Sequence, residues 1–297
     1  LTVTNSSGLR PDLVWGKSRT RGNGNWLYDT TRGTGTSKSL ISNETTSEGA
    51  ASGNINLTSF NSDGFSLGTT SSTNVPNYNG DSYVAWQWKA NAGSTSSNTS
   101  GSITSTVQAN TTSGFSIVTY TGTGSNASVG HGLGIAPKMV IIKYRSGPFG
   151  NWLWFVYHNS LSNYNYALRL QDTTAQTQFG NGFQAYPTST VFSMGSEGAI
   201  NYSGNSYVAY CFAEIAGFSK FGSYSGNGSS DGPFIYTGFV PKFIIVKSSS
   251  NAYNWQTYDI ARGPYNVNRP VLYPNLSNGE YSVSTKIGRA HVLNSSH

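Results

Sequence analysis

The sequence predicts an all-β protein on three observations: a polar but weakly charged composition, short apolar runs separated by turn residues, and an internal repeat built on those runs. Only 10% of the 297 residues are Asp, Glu, Lys or Arg, against ~25% in an average domain. Aromatic residues make up 13%, and there are 35 Gly. A disordered chain has the reverse balance, rich in charge and poor in aromatics. Much of the polar surface therefore comes from Ser, Thr and Asn. Their short side chains compete for backbone hydrogen bonds inside a helix, so they suit strands and turns.

The same composition excludes several functions. Formal net charge is +6, but Lys286 and Arg289 lie in the last twelve residues, and the remaining 16 basic and 12 acidic side chains are spread singly. The basic stripe of a nucleic-acid binder is missing, so no nucleic-acid partner is expected. A single cysteine, Cys211, leaves no intrachain disulfide. No stretch approaches the ~18 apolar residues of a membrane span, so no membrane insertion is expected. No charged-then-apolar signal opens the chain, although a chain beginning at Leu1 is expected to continue upstream.

The repeat organises everything else. Pro11 to Lys17 (PDLVWGK), Pro137 to Lys143 (PKMVIIK) and Pro241 to Lys247 (PKFIIVK) share Pro, three apolar residues and Lys at the same spacing. Each is followed by an Asn-Trp pair, at Trp26, Trp152 and Trp255. The Pro spacings are 126 and 104 and the Trp spacings 126 and 103, two independent landmarks in agreement. Gly80 to Ala90 (GDSYVAWQWKA) matches Gly204 to Glu214 (GNSYVAYCFAE), which pairs Tyr83 with Tyr207, and Phe65 to Gly68 matches Phe192 to Gly195.

These landmarks define three tandem homologous β-sandwich-like units, the outer two truncated. Residues 1–90 form the first, lacking its first strand. Residues 91–113 read as a Ser/Thr/Asn-rich linker with one short strand, Ile103 to Val107. Residues 114–216 form the complete second unit, and 217–285 the third, lacking its closing strands. Residues 286–297, KIGRAHVLNSSH, have no counterpart in the other units and resemble the translation of a sequencing-adapter read-through, so they are expected to be a non-native or disordered tail.

Within a unit, Met139 to Ile142 and Phe243 to Val246 are continuous apolar runs, long enough for strands buried on both faces and too short for helices. From Tyr83 to Lys89, alternation sets Val84, Trp86 and Trp88 on one face. Val208, Tyr210 and Phe212 repeat this, and these bulky side chains are expected to fill each unit's own core.

Chemical signals are sparse. Gly16-Lys17-Ser18 looks like the end of a phosphate-binding loop, but that motif needs a Gly five residues earlier, where Pro11 stands. His131, His158 and Cys211 have no metal-ligand spacing, so neither a metal nor a cofactor is expected. A glycosidase needs two carboxylates across one cleft. The recurring acids here are Tyr28-Asp29 with Arg32 and Tyr258-Asp259 with Arg262, replaced in the second unit by Tyr157-His158 and Leu161. An Asp and Arg so spaced read as a local ion pair, so no catalytic residue is expected.

The strings SYVAWQWKA, GSITSTVQANTTSGFSIVTYTGTGS, VGHGLGIAPKMVIIK and NWQTYDIARGPYN resemble the tandem repeats of virion surface proteins of marine tailed phages. The resemblance implies a non-enzymatic structural or adhesion module in a tail fibre or capsid decoration, assembled in the host cytoplasm. Its implied partners are other virion proteins or copies of itself, with host surface glycan as a candidate ligand. The alternative class is a carbohydrate-active protein, either a glycan-binding lectin or a depolymerase.

Overall fold

A computed structural model describes residues 1–50, 56–68, 76–148, 150, 153–229, 232–263 and 270–282. The first segment carries β1 (Thr2–Thr4), β2 (Leu13–Ser18), β3 (Trp26–Asp29), β4 (Leu40–Ile41), β5 (Leu57–Asn61), β6 (Gly64–Leu67) and β7 (Tyr83–Trp88). They form two sheets, ordered β4-β3-β2-β7 and β1-β6-β5. Next come β8 (Ser96–Asn98), β9 (Ser105–Asn110), β10 (Phe115–Thr121), β11 (Ala127–Gly130), β12 (Pro137–Ser146), β13 (Trp154–His158), β14 (Tyr166–Arg169), β15 (Thr177–Gln178), β16 (Val191–Met194) and β17 (Ser206–Ala213). Their sheets are ordered β15-β14-β13-β12-β17-β10-β9-β8 and β11-β16. The third segment has two pairs, β18 (Phe243–Val246) with β19 (Gln256–Asp259) and β20 (Pro270–Val271) with β21 (Tyr281–Ser282). The protein is all-β, and its described helices are single turns at Thr36–Lys38 and Gly198–Asn201.

The central hairpins share one register. Leu13 faces Asp29, Met139 faces His158 and Phe243 faces Asp259. One step along, Val14, Val140 and Ile244 face Tyr28, Tyr157 and Tyr258. Pro11, Pro137 and Pro241 each stand two residues before the first of these pairs. On the other edge of the central strand, Tyr83 faces Ser18 and Tyr207 faces Tyr144, again in step. Gly16 is required where it lies, because a Cβ there would come within 2.0 Å of the Trp26 ring. The second segment puts Ile142 at this place and the smaller Phe155 opposite it.

The tryptophan landmarks do not keep this register. Trp26 stands opposite Gly16, as Phe155 does opposite Ile142 and Gln256 opposite Val246. Trp255 is one residue earlier along its strand and matches Trp154. Successive strand residues point to opposite faces, so Trp26 packs in the first segment's own core while Trp154 and Trp255 face the neighbouring segment. Trp152 lies outside the described residues.

Three hydrophobic clusters explain why the central strands are apolar on both faces. Val14, Trp26, Tyr28, Ile41, Leu57, Phe65 and Leu67 fill the first segment. Val140, Ile142, Tyr144, Phe155, Tyr157, Phe192 and Met194 belong to the cluster inside the second. The third cluster is shared, joining Leu13 and Trp15, Met139 and Ile141, and Trp255 and Leu272, with Phe243 and Ile245 packed against it. Trp86 and Tyr210 also lie in this shared interior, with Val84, Trp88 and Phe212 at its margin, rather than in the cores of their own segments. A period-2 pattern tells which residues share a face, but not which layer that face meets.

Residues 91–113 are not a linker. β8 and β9 extend the second sheet beyond β10, and Val107 and Gln108 are buried. Conversely Phe218 to Tyr224, matched in sequence to β10, forms no strand. β10 is held by β17, and among the described residues no strand stands beside β18 as β17 stands beside β12. The expected tail at 286–297 lies outside the described residues.

Candidate functional site at the segment junctions

The backbone amide of Asn25 donates to Asn43 Oδ1 at 2.8 Å, that of Trp154 to Gln171 Oε1 at 3.0 Å, and that of Trp255 to Asn275 Oδ1 at 3.0 Å. With the backbone fixed in this way, the side chain of each residue reaches another segment. Trp154 Nε1 donates to Ile41 O at 2.9 Å, and Trp255 Nε1 to Arg169 O at 2.8 Å. Asn25 Nδ2 donates to Tyr273 O at 3.3 Å and to Pro274 O at 2.8 Å. Ile41 and Arg169 are equivalent in register, and Tyr273 follows Leu272, which bridges to Thr257 much as Leu168 pairs with Val156. The second segment thus docks on the first, the third on the second, and the first on the third.

A backbone bond repeats the same circuit. Glu48 N donates to Arg145 O at 2.9 Å, Gln176 N to Ser249 O at 2.9 Å, and Glu280 N to Arg19 O at 2.6 Å. The repeated lysines cross the same boundaries. Lys17 Nζ donates to Asn25 Oδ1 and to Leu276 O, at 2.6 and 2.8 Å, and Lys247 Nζ to Thr173 O at 3.1 Å. Lys143 lies against the Trp154 ring and feels the Glu44 charge. Lys17, read from sequence as a spurious phosphate-loop residue, is a side chain of the junction.

Two junctions bury a network of charges. Arg32 Nε pairs with Asp29 Oδ2 at 2.5 Å while the Arg32 amide donates to Asp29 Oδ1 at 2.9 Å. Arg32 Nη1 and Arg145 Nη2 hold the two oxygens of Glu48 at 2.8 and 2.7 Å, and the Tyr210 hydroxyl donates to Asp29 Oδ2 at 2.7 Å. In the other, Arg262 pairs with Asp259 at 2.7 Å and shares Glu280 with Arg19, at 3.1 and 2.8 Å. Trp86 Nε1 donates to Asp259 Oδ2 at 3.0 Å, where Tyr210 does so in the first network. Burial opposes the Arg32 charge, but Asp29, Tyr210 and Glu48 outweigh it and hold the guanidinium pKa above its ordinary value. The third junction replaces the charges with His158, Leu161, Gln176 and Ser249.

Asp29 and Asp259 therefore sit in separate junctions, each saturated by its own arginine. The sequence reading found these pairs. It missed Glu48, Glu280, Arg19 and Arg145, although both arginines follow a repeated lysine by two residues. Tyr210 and Trp86 were placed on the right face and given the wrong neighbours. Among the described residues, no group of three or more His, Cys, Asp or Glu could hold a metal ion, and no helix is long and apolar enough to cross a membrane.

An all-β chain with buried, recurring junctions defines a class of fold and no chemistry. A family described as a domain of unknown function, DUF7483, matches residues 2–290, and the chain belongs to that family. The match crosses every boundary set above from sequence and passes Thr285. No curated protein and no solved structure matches the chain.

The lysines give the fold a pH signature. Burial pulls Lys17 down to about 7, with Arg262 adding to the effect, and burial likewise pulls Lys143 to about 7. Between pH 7 and the ordinary lysine value of 10.5, the unfolded chain binds more protons than the folded one, so stability must rise with pH. The slope is up to about 1.4 kcal/mol per pH unit for each lysine. Urea midpoints should climb from pH 7 to 9.5, and Lys17→Met should flatten the climb. A midpoint falling over that range in the parent protein would contradict burial of these ammonium groups.

Proposed function

We propose that the protein is a non-enzymatic structural or adhesion module of a phage virion, a tail fibre or capsid decoration, built from three tandem β-sandwich-like units. The observation that carries the structural half of this reading is the circuit of junctions. The same backbone bond recurs at three boundaries, each with a side-chain donor from Asn25, Trp154 or Trp255 beside it, and the recurring acids are spent on arginines instead of being left open to a substrate. The virion half rests on the resemblance to marine phage repeats. Its test is recovery of peptides of this sequence by mass spectrometry from purified tailed-phage particles of marine communities. Recovery from the cellular fraction alone would contradict it.

Contact with glycans is favoured by one further observation. Tyr224, Phe234, Tyr236 and Tyr253 are exposed on the third segment, and exposed aromatic rings are natural stacking surfaces for sugars. Weak binding, in the millimolar range where Kd corresponds to about 4 kcal/mol, is expected on a glycan array, with avidity supplied by many copies. Polysaccharide hydrolysis is not expected. A depolymerase activity abolished by Asp29→Asn or Asp259→Asn without a fall in Tm would replace this reading with the enzymatic one.

A further inference from the structure

The third junction differs from the others in what stands beside its central strand. β2 is flanked by β3 and β7, and β12 by β13 and β17. β18 pairs only with β19 among the described residues. The shared interior is correspondingly less filled there. Leu13, Trp15, Met139 and Ile141 are buried, whereas their register equivalents Phe243 and Ile245 are half-buried, and Ile244 is 43% exposed where Val14 and Val140 are fully covered.

The two occupied edges show what the open one accepts. At each, an antiparallel strand of sequence Tyr-Val-Ala-aromatic sets its aromatic residue opposite Trp15 or Ile141, and that residue bonds the side chain at the end of the hairpin in the segment on which its own docks. Trp86 reaches Asp259 and Tyr210 reaches Asp29. The corresponding residue at the remaining junction is His158, half-buried, with the Phe221 ring 6.1 Å away. His158 Nδ1 accepts the Ser160 amide at 3.1 Å, so a neutral imidazole carries its proton on Nε2 and offers a donor. Burial keeps the ring neutral by lowering its pKa. An indole, which only donates, cannot answer that proton, while a tyrosine hydroxyl can.

We propose that the edge of β18 left unpaired among the described residues, together with His158, is a strand-acceptor site for an extended polypeptide of the Tyr-Val-Ala-Tyr class, with its second tyrosine opposite Ile245 and its hydroxyl accepting from His158 Nε2. Both strands of this class in the chain, β7 and β17, are already paired. No stretch of the chain outside the described residues carries Tyr and an aromatic three residues apart. Within residues 1–297 no stretch is left to fill it, so the site takes a strand supplied from outside them. Edge addition of this kind takes affinity from backbone bonds and specificity from alternate side chains.

The probe is a lysine-flanked peptide of residues Asn205 to Ala213 with Cys211→Ser, added to the full chain, and two analogues with Tyr210→Phe and Tyr210→Trp. Hydrogen exchange should slow at least tenfold at Phe243 and Ile245, whose amides point away from β19, with the tyrosine peptide, and the two analogues should bind at least fivefold more weakly. His158→Leu should erase that discrimination while sparing the parent fold, because Leu161 and the shared interior already surround the site with apolar groups. New protection absent from Phe243 and Ile245 at millimolar peptide, or equal binding of the tyrosine and phenylalanine forms, would overturn the proposal. Neither outcome bears on whether the protein belongs to a virion.

Discussion

Replacing Arg32 with leucine is expected to lower the unfolding free energy by about 3–5 kcal/mol, the usual cost of removing one partner from a buried ion pair. The Arg32 side chain is fully enclosed and spans two carboxylates, Asp29 and Glu48. Without it, one acid keeps only Tyr210 and backbone donors, and the other only Arg145. The third junction supplies the control, since it performs the same docking with His158, Leu161, Gln176 and Ser249. A quadruple variant, Asp29→His, Arg32→Leu, Glu48→Gln and Arg145→Ser, transplants that neutral set. It should recover most of the loss, because a buried charge network replaced whole by fitting neutral groups is often neutral in stability. Urea denaturation of the two variants measures both values. A quadruple variant weaker than Arg32→Leu alone would show that the junctions are not interchangeable.

Trp154→Ala should be comparably severe, at about 3–5 kcal/mol for deletion of a fully buried aromatic. Two effects combine there. The indole fills the shared interior, and its Nε1 satisfies the carbonyl of Ile41 from another segment. Trp154→Phe separates them, keeping most of the volume and stranding the carbonyl at a cost of about 1–3 kcal/mol. Thermal unfolding should remain a single transition in both variants if the segments share one interior. Two resolved transitions in Trp154→Phe would mean that the first two segments fold independently of this contact.

Much of this was legible in the residues. The Pro-to-Lys strings located the three central strands, and Tyr83 and Tyr207 located two flanking strands in the right register. The continuous apolar run at Met139 to Ile142 announced a strand covered on both sides, as it is. The errors share a cause. The Asn-Trp pairs looked like one landmark because pattern matching tolerates a shift of one residue, whereas a strand does not: one step moved Trp26 into a segment core and left Trp255 facing its neighbour. Residues 91–113 looked like a linker because Ser, Thr and Asn dominate them, yet an outer antiparallel strand needs only an occasional apolar side chain, here Val107, to cover the sheet below. Glu48 and Arg145 were invisible as a pair because nothing local links residues 97 positions apart. Only closure of the chain upon itself brings them together.

The three segments close on one another, the second docked on the first, the third on the second and the first on the third. Native-state hydrogen exchange at Glu48, Gln176 and Glu280 tests this closure directly, because these amides donate across the three boundaries to Arg145 O, Ser249 O and Arg19 O. In a closed circuit opening any boundary strains the others, so the three amides should exchange with similar free energies, close to that of global unfolding. Strong protection of Glu48 and Gln176 with rapid exchange at Glu280 would contradict the account, leaving an open row of segments in place of a ring.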